Sequence, residues 1–152
     1  MPKDLIAQEA QSHHRKQHFM CLRLEAVADA LPASIDRQEC LLLARDIYPT
    51  VKAAHEFEES VLFPHLQRNA DARALEDGLE RLRFEHWEDE AYAEELSDTL
   101  SRIGRGGPVR DAEKISWMLR GFFDGVRRHM AFEAEHLLPM LNPISSGERV
   151  AT

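Results

Sequence analysis

Residues 55–59 read His-Glu-Phe-Glu-Glu and place a glutamate four positions after a histidine. The same spacing recurs at His86 with Glu90 and at His129 with Glu133, so three of the eight histidines carry it. Four residues along an α-helix advance the chain by about 6 Å and turn it by about 40°, so both side chains lie on one face. Each pair therefore predicts a helix that presents a nitrogen and a carboxylate to its neighbours.

The pairs continue the apolar stripes of their own helices. One stripe with helical spacing contains Ile115, Leu119, Phe122, Val126, His129, Glu133 and Leu137. A surface ion pair would lie on the polar face instead. Burying an unpaired carboxylate costs several kcal/mol, so glutamates on a core stripe need a cation or a dense hydrogen-bond network. We therefore expect a metal site where these helices meet.

Four long helices are predicted. They run from about Asp4 to Leu31, from about Asp36 to Asn69, from the cap residue Asp71 to about Ile103, and from Asp111 to near Leu141. Pro49 lies inside the second helix, where we expect a kink rather than a restart. No segment alternates with a period of two, and the connections are short. The pattern predicts an all-α, up-down-up-down four-helix bundle.

Length and composition limit the class of protein. The 152 residues suit one domain, with the bundle at about 4–141 and a flexible tail at 142–152. The net charge of −8 has the wrong sign for a phosphate backbone, so we expect no nucleic-acid partner. No apolar stretch reaches the about 18 residues of a membrane span. Cys21 and Cys40 lack metal or redox spacing and no export signal is evident, which favours the cytoplasm.

As a set, these residues resemble the hemerythrin-like, or HHE cation-binding, family over about residues 5–141. The matching positions are His18, residues 55–64, Phe84 to His86, Glu90, and His129 to Glu133 with the following Leu137-Leu138-Pro139. The resemblance implies a left-handed four-helix bundle with a non-haem di-iron centre. Its two iron ions, ferrous or ferric, would be bridged by two carboxylates and an oxo or hydroxo group.

The resemblance also implies a ligand set. One iron would take His86, Glu90 and His129, the other would take His18 and His55, and Glu59 and Glu133 would bridge them. The second iron would keep an open position for dioxygen, nitric oxide or peroxide. Imidazole and carboxylate ligands suit manganese and zinc as well as iron.

The sequence departs from the oxygen-carrying members at two positions. Glu90 stands where those have a histidine, and Glu133 follows His129 by four residues rather than five. A further carboxylate favours ferric over ferrous iron, whereas reversible oxygen carriage needs a ferrous pair. We therefore rank oxygen transport below peroxide-linked, nitric-oxide-linked and sensing roles.

Several neighbouring residues compete for these positions. Glu58 is the nearest competitor of Glu59 for the bridge, and Glu56 has a metal-binding counterpart in some family members. His14, one turn before His18, is read as a solvated residue, with a ligand or a hydrogen-bond donor as alternatives. We expect His13, His65 and His136 at the surface, Cys21 in the core, and the acidic residues Glu88, Asp89, Glu94 and Glu95 on a solvated face.

Three functional classes stay open at this point. The first is an enzyme that disproportionates peroxide or reduces nitric oxide. The second is a sensor or iron-storage module without turnover, and the third is a metal-free helical interaction protein with an acidic face. The sequence identifies neither a protein partner nor an oligomeric state.

Overall fold

The computed structural model describes residues 1–69 and 72–141. Its α-helices are α1 (Lys3–Ala30), α2 (Arg37–Phe57), α3 (Phe63–Asn69), α4 (Ala72–Gly104) and α5 (Ala112–Phe132). A π-turn at Glu58–Leu62 joins α2 to α3. A second, at Glu133–Leu137, extends α5 into a 3-10 turn at Leu138–Leu141. The chain therefore forms four long helical rods: α1, α2 continued through the first π-turn into α3, α4, and α5 continued through its two turns. The described residues contain no strand.

The rods pack as a four-helix bundle, which confirms the predicted fold class. Helix α1 lies against α2 and α5, and α2 lies against α4. Helices α4 and α5 also lie against each other. Among the described helices, none combines the length and the apolarity that a membrane span needs.

Local sequence signals account for the helix ends. Asp36 and Asp111 cap α2 and α5. Each carboxylate accepts a hydrogen bond of 3.0 Å from the backbone amide of the residue three positions later in the chain. Gly106, with φ of 99°, closes α4. Helix α2 continues through Pro49 to Phe57 and does not restart. The predicted cap Asp71 and the predicted tail at 142–152 lie outside the described residues.

Two apolar clusters fill the bundle, one on each side of a layer of buried polar residues. The first cluster includes Met20, Cys21, Leu24, Leu43, Ile47, Val51, Ala93, Leu96, Phe122 and Val126. The second includes Ile6, Ala10, Leu62, Phe63, Leu66, Leu79, Leu82, Leu137 and Leu141. We call the residues between them the polar layer: Gln17, His55, Glu58, His86, His129 and Glu133. Every rod therefore passes from apolar to polar and back to apolar contacts.

Candidate metal centre

Two π-turns position the carboxylates of the polar layer. Glu58 is the first residue of one π-turn and Glu133 is the first residue of the other. Each glutamate's carbonyl accepts a hydrogen bond from the amide five residues later, so the helix widens at this point. Such single-turn π segments are frequent at functional sites. Both buried glutamates thus lie where the helix changes from α to π geometry.

Glu58 is shared by two groups of ligand atoms. Atoms of His55, Glu58 and His86 lie within 4.8 Å of one another, as do atoms of Glu58, His129 and Glu133. The Glu58 Oε2 atom lies 2.5 Å from His86 Nε2, and Oε1 lies 3.1 Å from His129 Nε2. A single buried carboxylate therefore faces both groups of ligand atoms.

The donor set fits a cation better than it fits a hydrogen-bond network. Both ring nitrogens of His86 and the Nδ1 atom of His129 are buried without a hydrogen-bond partner. His86 Nε2 nevertheless lies close to a Glu58 oxygen, in a contact without hydrogen-bond geometry. Metal–nitrogen and metal–oxygen bonds are about 2.0–2.2 Å long, so ligand atoms around one ion are themselves crowded together. The ligand atoms within each of the two groups are therefore close enough together to bind one cation.

Helix α1 contributes His14 to this layer. The Nε2 atom of His14 lies 2.7 Å from Glu133 Oε2, while the other Glu133 oxygen lies 2.9 Å from His129 Nε2. His18, one turn after His14, is exposed. The structure therefore brings His14, and not the predicted His18, against the buried carboxylates.

The two other predicted glutamates lie at the edge of the layer. Glu59 is 40% exposed, and its Oε1 atom lies 3.7 Å from His86 Nδ1. Glu90 contacts His55 Nδ1 at 3.1 Å and the Lys52 ammonium at 2.9 Å. It belongs to neither three-residue group. Glu90 thus lies behind an imidazole of the cluster.

Four of the ligands predicted from the sequence do meet in the layer: His55, His86, His129 and Glu133. Glu58 and His14, which were weighed as alternatives, join them, whereas Glu56 is exposed. Asp89 was assigned to a solvated face but is half-buried beside the cluster. The assignment of residues as ligands stays a prediction.

Burial and mutual contacts set the charges of the layer. Burial, reinforced by neighbouring imidazoles, lowers the pKa of His55 to about 3 and that of His86 to about 4. Burial also acts to lower the pKa of His129, but its contacts with Glu133 and Glu58 raise it well above its usual value. At neutral pH, His55 and His86 are therefore uncharged and carry free lone pairs.

The pKa values of the two buried carboxyl groups are also shifted in opposite directions. Burial raises the pKa of Glu58 well above its usual value, and contact with Glu133 adds to that. Burial acts to raise the pKa of Glu133 too, but its contacts with Glu58, His129 and His14 outweigh it and lower the pKa. The Glu58–His129–Glu133 group therefore retains a proton that a bound cation would displace.

Two cavities adjoin the layer. The smaller, about 10 Å³, is lined by Gln17, Val51, His55, Asp89, Val126 and His129. The larger is a groove of about 540 Å³ between α4 and α5, and it includes Arg81, Leu82, Arg128 and Phe132. Asp89 and His129 line both cavities. The groove and the smaller cavity, which we call the inner cavity, therefore lie against the same two residues.

The chain matches a known protein family. The model described as the hemerythrin HHE cation binding domain matches residues 6–141. No curated protein and no solved structure matches the chain significantly. The matched range covers most of the chain and contains every residue of the polar layer.

Proposed function

Since the chain belongs to the hemerythrin HHE cation-binding family, we propose that its polar layer holds two iron ions that bind, sense or react with dioxygen, nitric oxide or peroxide. The observation that carries this proposal is the position of Glu58. A buried carboxylate that faces two separate sets of ligand atoms supports a centre of two metals rather than one.

The proposed ligand set follows burial and contact. His55, His86 and Glu58 hold one metal, and Glu58, His129 and Glu133 hold the other. His14 is a further ligand of the second metal, because it contacts Glu133. In this set Glu58 replaces Glu59 as a bridging carboxylate, and His14 replaces His18 as the histidine from α1. His14 shares its metal with His129, whereas the resemblance paired His18 with His55. Iron is proposed from the family, while manganese and zinc suit the same donors.

Glu90 is a positioning residue in this proposal. Its carboxylate contacts His55 Nδ1, which fixes the ring orientation and tautomer and makes the other nitrogen a better donor. Lys52 holds Glu90 from the outside at 2.9 Å. The ring of His55 also stacks on that of His86, with centroids 3.8 Å apart, and His86 stacks on Phe63. The imidazoles are thus held in place before any metal arrives.

The surrounding residues determine what can reach the centre. When bound, an iron pair supplies the electrons for chemistry with dioxygen, nitric oxide or peroxide. The protein contributes apolar clusters above and below the layer, which exclude bulk water. In this proposal a small molecule enters by the α4–α5 groove, whose wall residues Asp89 and His129 also line the inner cavity.

Metal content and spectroscopy test this function. Protein purified in air without added metal should contain about two irons per chain by elemental analysis. Its near-ultraviolet and visible absorption should change when the oxidised form meets peroxide and when the reduced form meets nitric oxide. Absence of bound iron, with no spectral change after anaerobic iron addition, would overturn the proposal.

The same preparation separates an enzyme from a sensor. Repeated consumption of peroxide or nitric oxide by the iron-loaded protein identifies an enzyme. A single stoichiometric response, with metal-dependent stability and no turnover, identifies a sensor or storage module.

A further inference from the structure

Gln17 is a buried polar residue to which the proposed metal ligation gives no role. Its side chain is only 2% exposed, and its Oε1 atom is buried without a hydrogen-bond partner. The residue lies on α1 between His14 and Cys21, on the face that packs into the bundle. An amide left unsatisfied in a core lowers stability, so packing alone does not explain a glutamine here.

The surroundings of Gln17 indicate that a small molecule, which we call the guest, binds beside it. The inner cavity that it lines is about 10 Å³, room for roughly one water-sized group, such as the terminal atom of a molecule bound beside His55 and His129. Val51 and Val126 are buried apolar residues on the wall, and His55 and His129 belong to the proposed metal centre. Within this lining, Gln17 supplies an uncharged amide whose oxygen lacks a partner.

We infer that Gln17 is a specificity-determining residue, which hydrogen-bonds the small molecule held beside the metals and favours guests that form hydrogen bonds over nitric oxide. This inference rests on the proposed function. The amide offers N–H donors to an anionic guest such as azide, and a carbonyl acceptor to a guest with an O–H group such as hydrogen peroxide. Nitric oxide carries no hydrogen and is a weak acceptor.

The shape of the site agrees with this role. Asp89 and His129 line both the inner cavity and the α4–α5 groove, so a guest that enters by the groove passes them before it reaches Gln17. The amide does not ionise near neutral pH. It therefore presents the same hydrogen-bonding groups whatever the charge of the neighbouring imidazoles and carboxylates.

The test compares Gln17→Leu with Gln11→Leu, which makes the same change at an exposed position of α1. Iron content is measured first, followed by the melting temperature of the metal-free protein. Dissociation constants are then measured by optical titration, for azide with the oxidised iron-loaded protein and for nitric oxide with the reduced form. Gln17→Glu is a second variant of nearly native size that replaces the amide with a carboxylate.

The expected pattern is a selective loss. Gln17→Leu should weaken azide binding about tenfold, the effect of one lost hydrogen bond, and change nitric oxide binding by less than about twofold. Its iron content should stay at the wild-type level, and the metal-free melting temperature should stay equal or rise. Gln17→Glu should weaken azide further by charge repulsion, and Gln11→Leu should change none of these quantities.

Three results would overturn the inference. Unchanged azide affinity in both Gln17 variants would show that Gln17 forms no hydrogen bond to the bound azide. Equal losses for azide and nitric oxide, together with a lower metal-free melting temperature, make Gln17 a packing residue. A wild-type protein that binds no iron overturns the proposed function and this inference with it, whereas normal iron content with unchanged selectivity overturns only the inference.

Discussion

The two halves of the polar layer differ in what holds them together without a metal. His55 and His86 stack face to face, their pKa values are lowered, and both nitrogens of His86 lack hydrogen-bond partners. His129 and Glu133 contact each other at 2.9 Å, and the pKa of His129 is raised. We call these the histidine half and the carboxylate half. In the first half His86 lacks a hydrogen-bond partner, although His55 contacts Glu90, whereas in the second half both residues belong to ion pairs.

The comparison indicates how metal binding couples to folding. Neutral imidazoles bind a cation without losing a proton, so the histidine half is ready at neutral pH. The carboxylate half must release the proton shared among Glu58, His129 and Glu133 before a cation replaces it. Glu58 belongs to both halves and links the two events.

Removing the shared carboxylate should have the largest effect. Glu58→Gln should reduce the iron content from about two per chain to well below one, because both halves lose a ligand. The metal-free melting temperature should stay equal or rise, since a buried carboxyl with a raised pKa is replaced by a neutral amide. Elemental analysis and thermal unfolding measure these two effects.

Glu59→Gln is the matched control, one residue away and 40% exposed. It should retain iron at the wild-type level. Loss of iron from Glu59→Gln with retention in Glu58→Gln would reverse the assignment of the bridge.

His14→Ala should weaken the carboxylate half alone. One Glu133 oxygen loses its partner at 2.7 Å, so iron content should fall by about one per chain. The metal-free protein should lose about 1–3 kcal/mol of unfolding free energy, because a buried acceptor is left unsatisfied. Urea unfolding and elemental analysis measure both effects.

His18→Ala supplies the comparison on the same helix. The exposed imidazole should be replaceable with a stability change of about 0.5 kcal/mol or less and no loss of iron. Iron loss from His18→Ala but not from His14→Ala would support His18 as the ligand, as the family resemblance implies.

Much of this organisation follows from the sequence, because helix periodicity, caps and apolar stripes are local signals. The rods, the Asp111 cap and the convergence of His55, His86 and His129 needed no tertiary information. The phase of α1 also favours His14, which lies about 40° from Ala10 around the helix, whereas His18 lies about 80° away. The expectation of His18 rested on the family resemblance and not on helical phase.

The choice between Glu58 and Glu59 was not available from spacing. Leu62 follows Glu58 by four residues and Glu59 by three, and either interval places two side chains on one face. The π-turn that begins at Glu58 changes the number of residues per helical turn at this point. Uniform α-helical spacing therefore does not predict which of the two glutamates is buried. Only the packed structure shows that Glu58 is buried and Glu59 is not.

Glu90→Gln should act on the histidine half with a smaller effect. The variant weakens the support of His55 Nδ1 without removing an atom of either three-residue group, so metal affinity should fall roughly 10- to 100-fold with the stoichiometry kept. Competition with a chelator measures the affinity. Glu94→Gln, at an exposed position one turn further along α4, is the control and should leave affinity unchanged.

The pH dependence of the metal-free protein should show the smallest effect. The folded pKa of His86, about 4, lies below its usual 6.5, so only the unfolded chain binds this proton between those values. Stability from His86 is thus present above pH 6.5 and is lost as the pH falls toward 4. The loss is at most about 1.4 kcal/mol per pH unit.

Comparison with a variant isolates this contribution, because the raised pKa of Glu58 acts in the opposite direction. His86→Leu should gain stability relative to the wild type as the pH falls from 6.5 to 4, as measured by urea unfolding at each pH. A difference that is independent of pH would contradict the neutral, unpartnered state of His86.

Anaerobic titration of the metal-free wild-type protein with ferrous iron measures how many metal ions the polar layer binds. The amount of bound iron and the melting temperature are followed together. We predict that both rise until about two equivalents are bound per chain, because Glu58 serves two metals at once. An end point at about one equivalent, or no binding, would contradict a shared bridging carboxylate and the two-metal centre built on it.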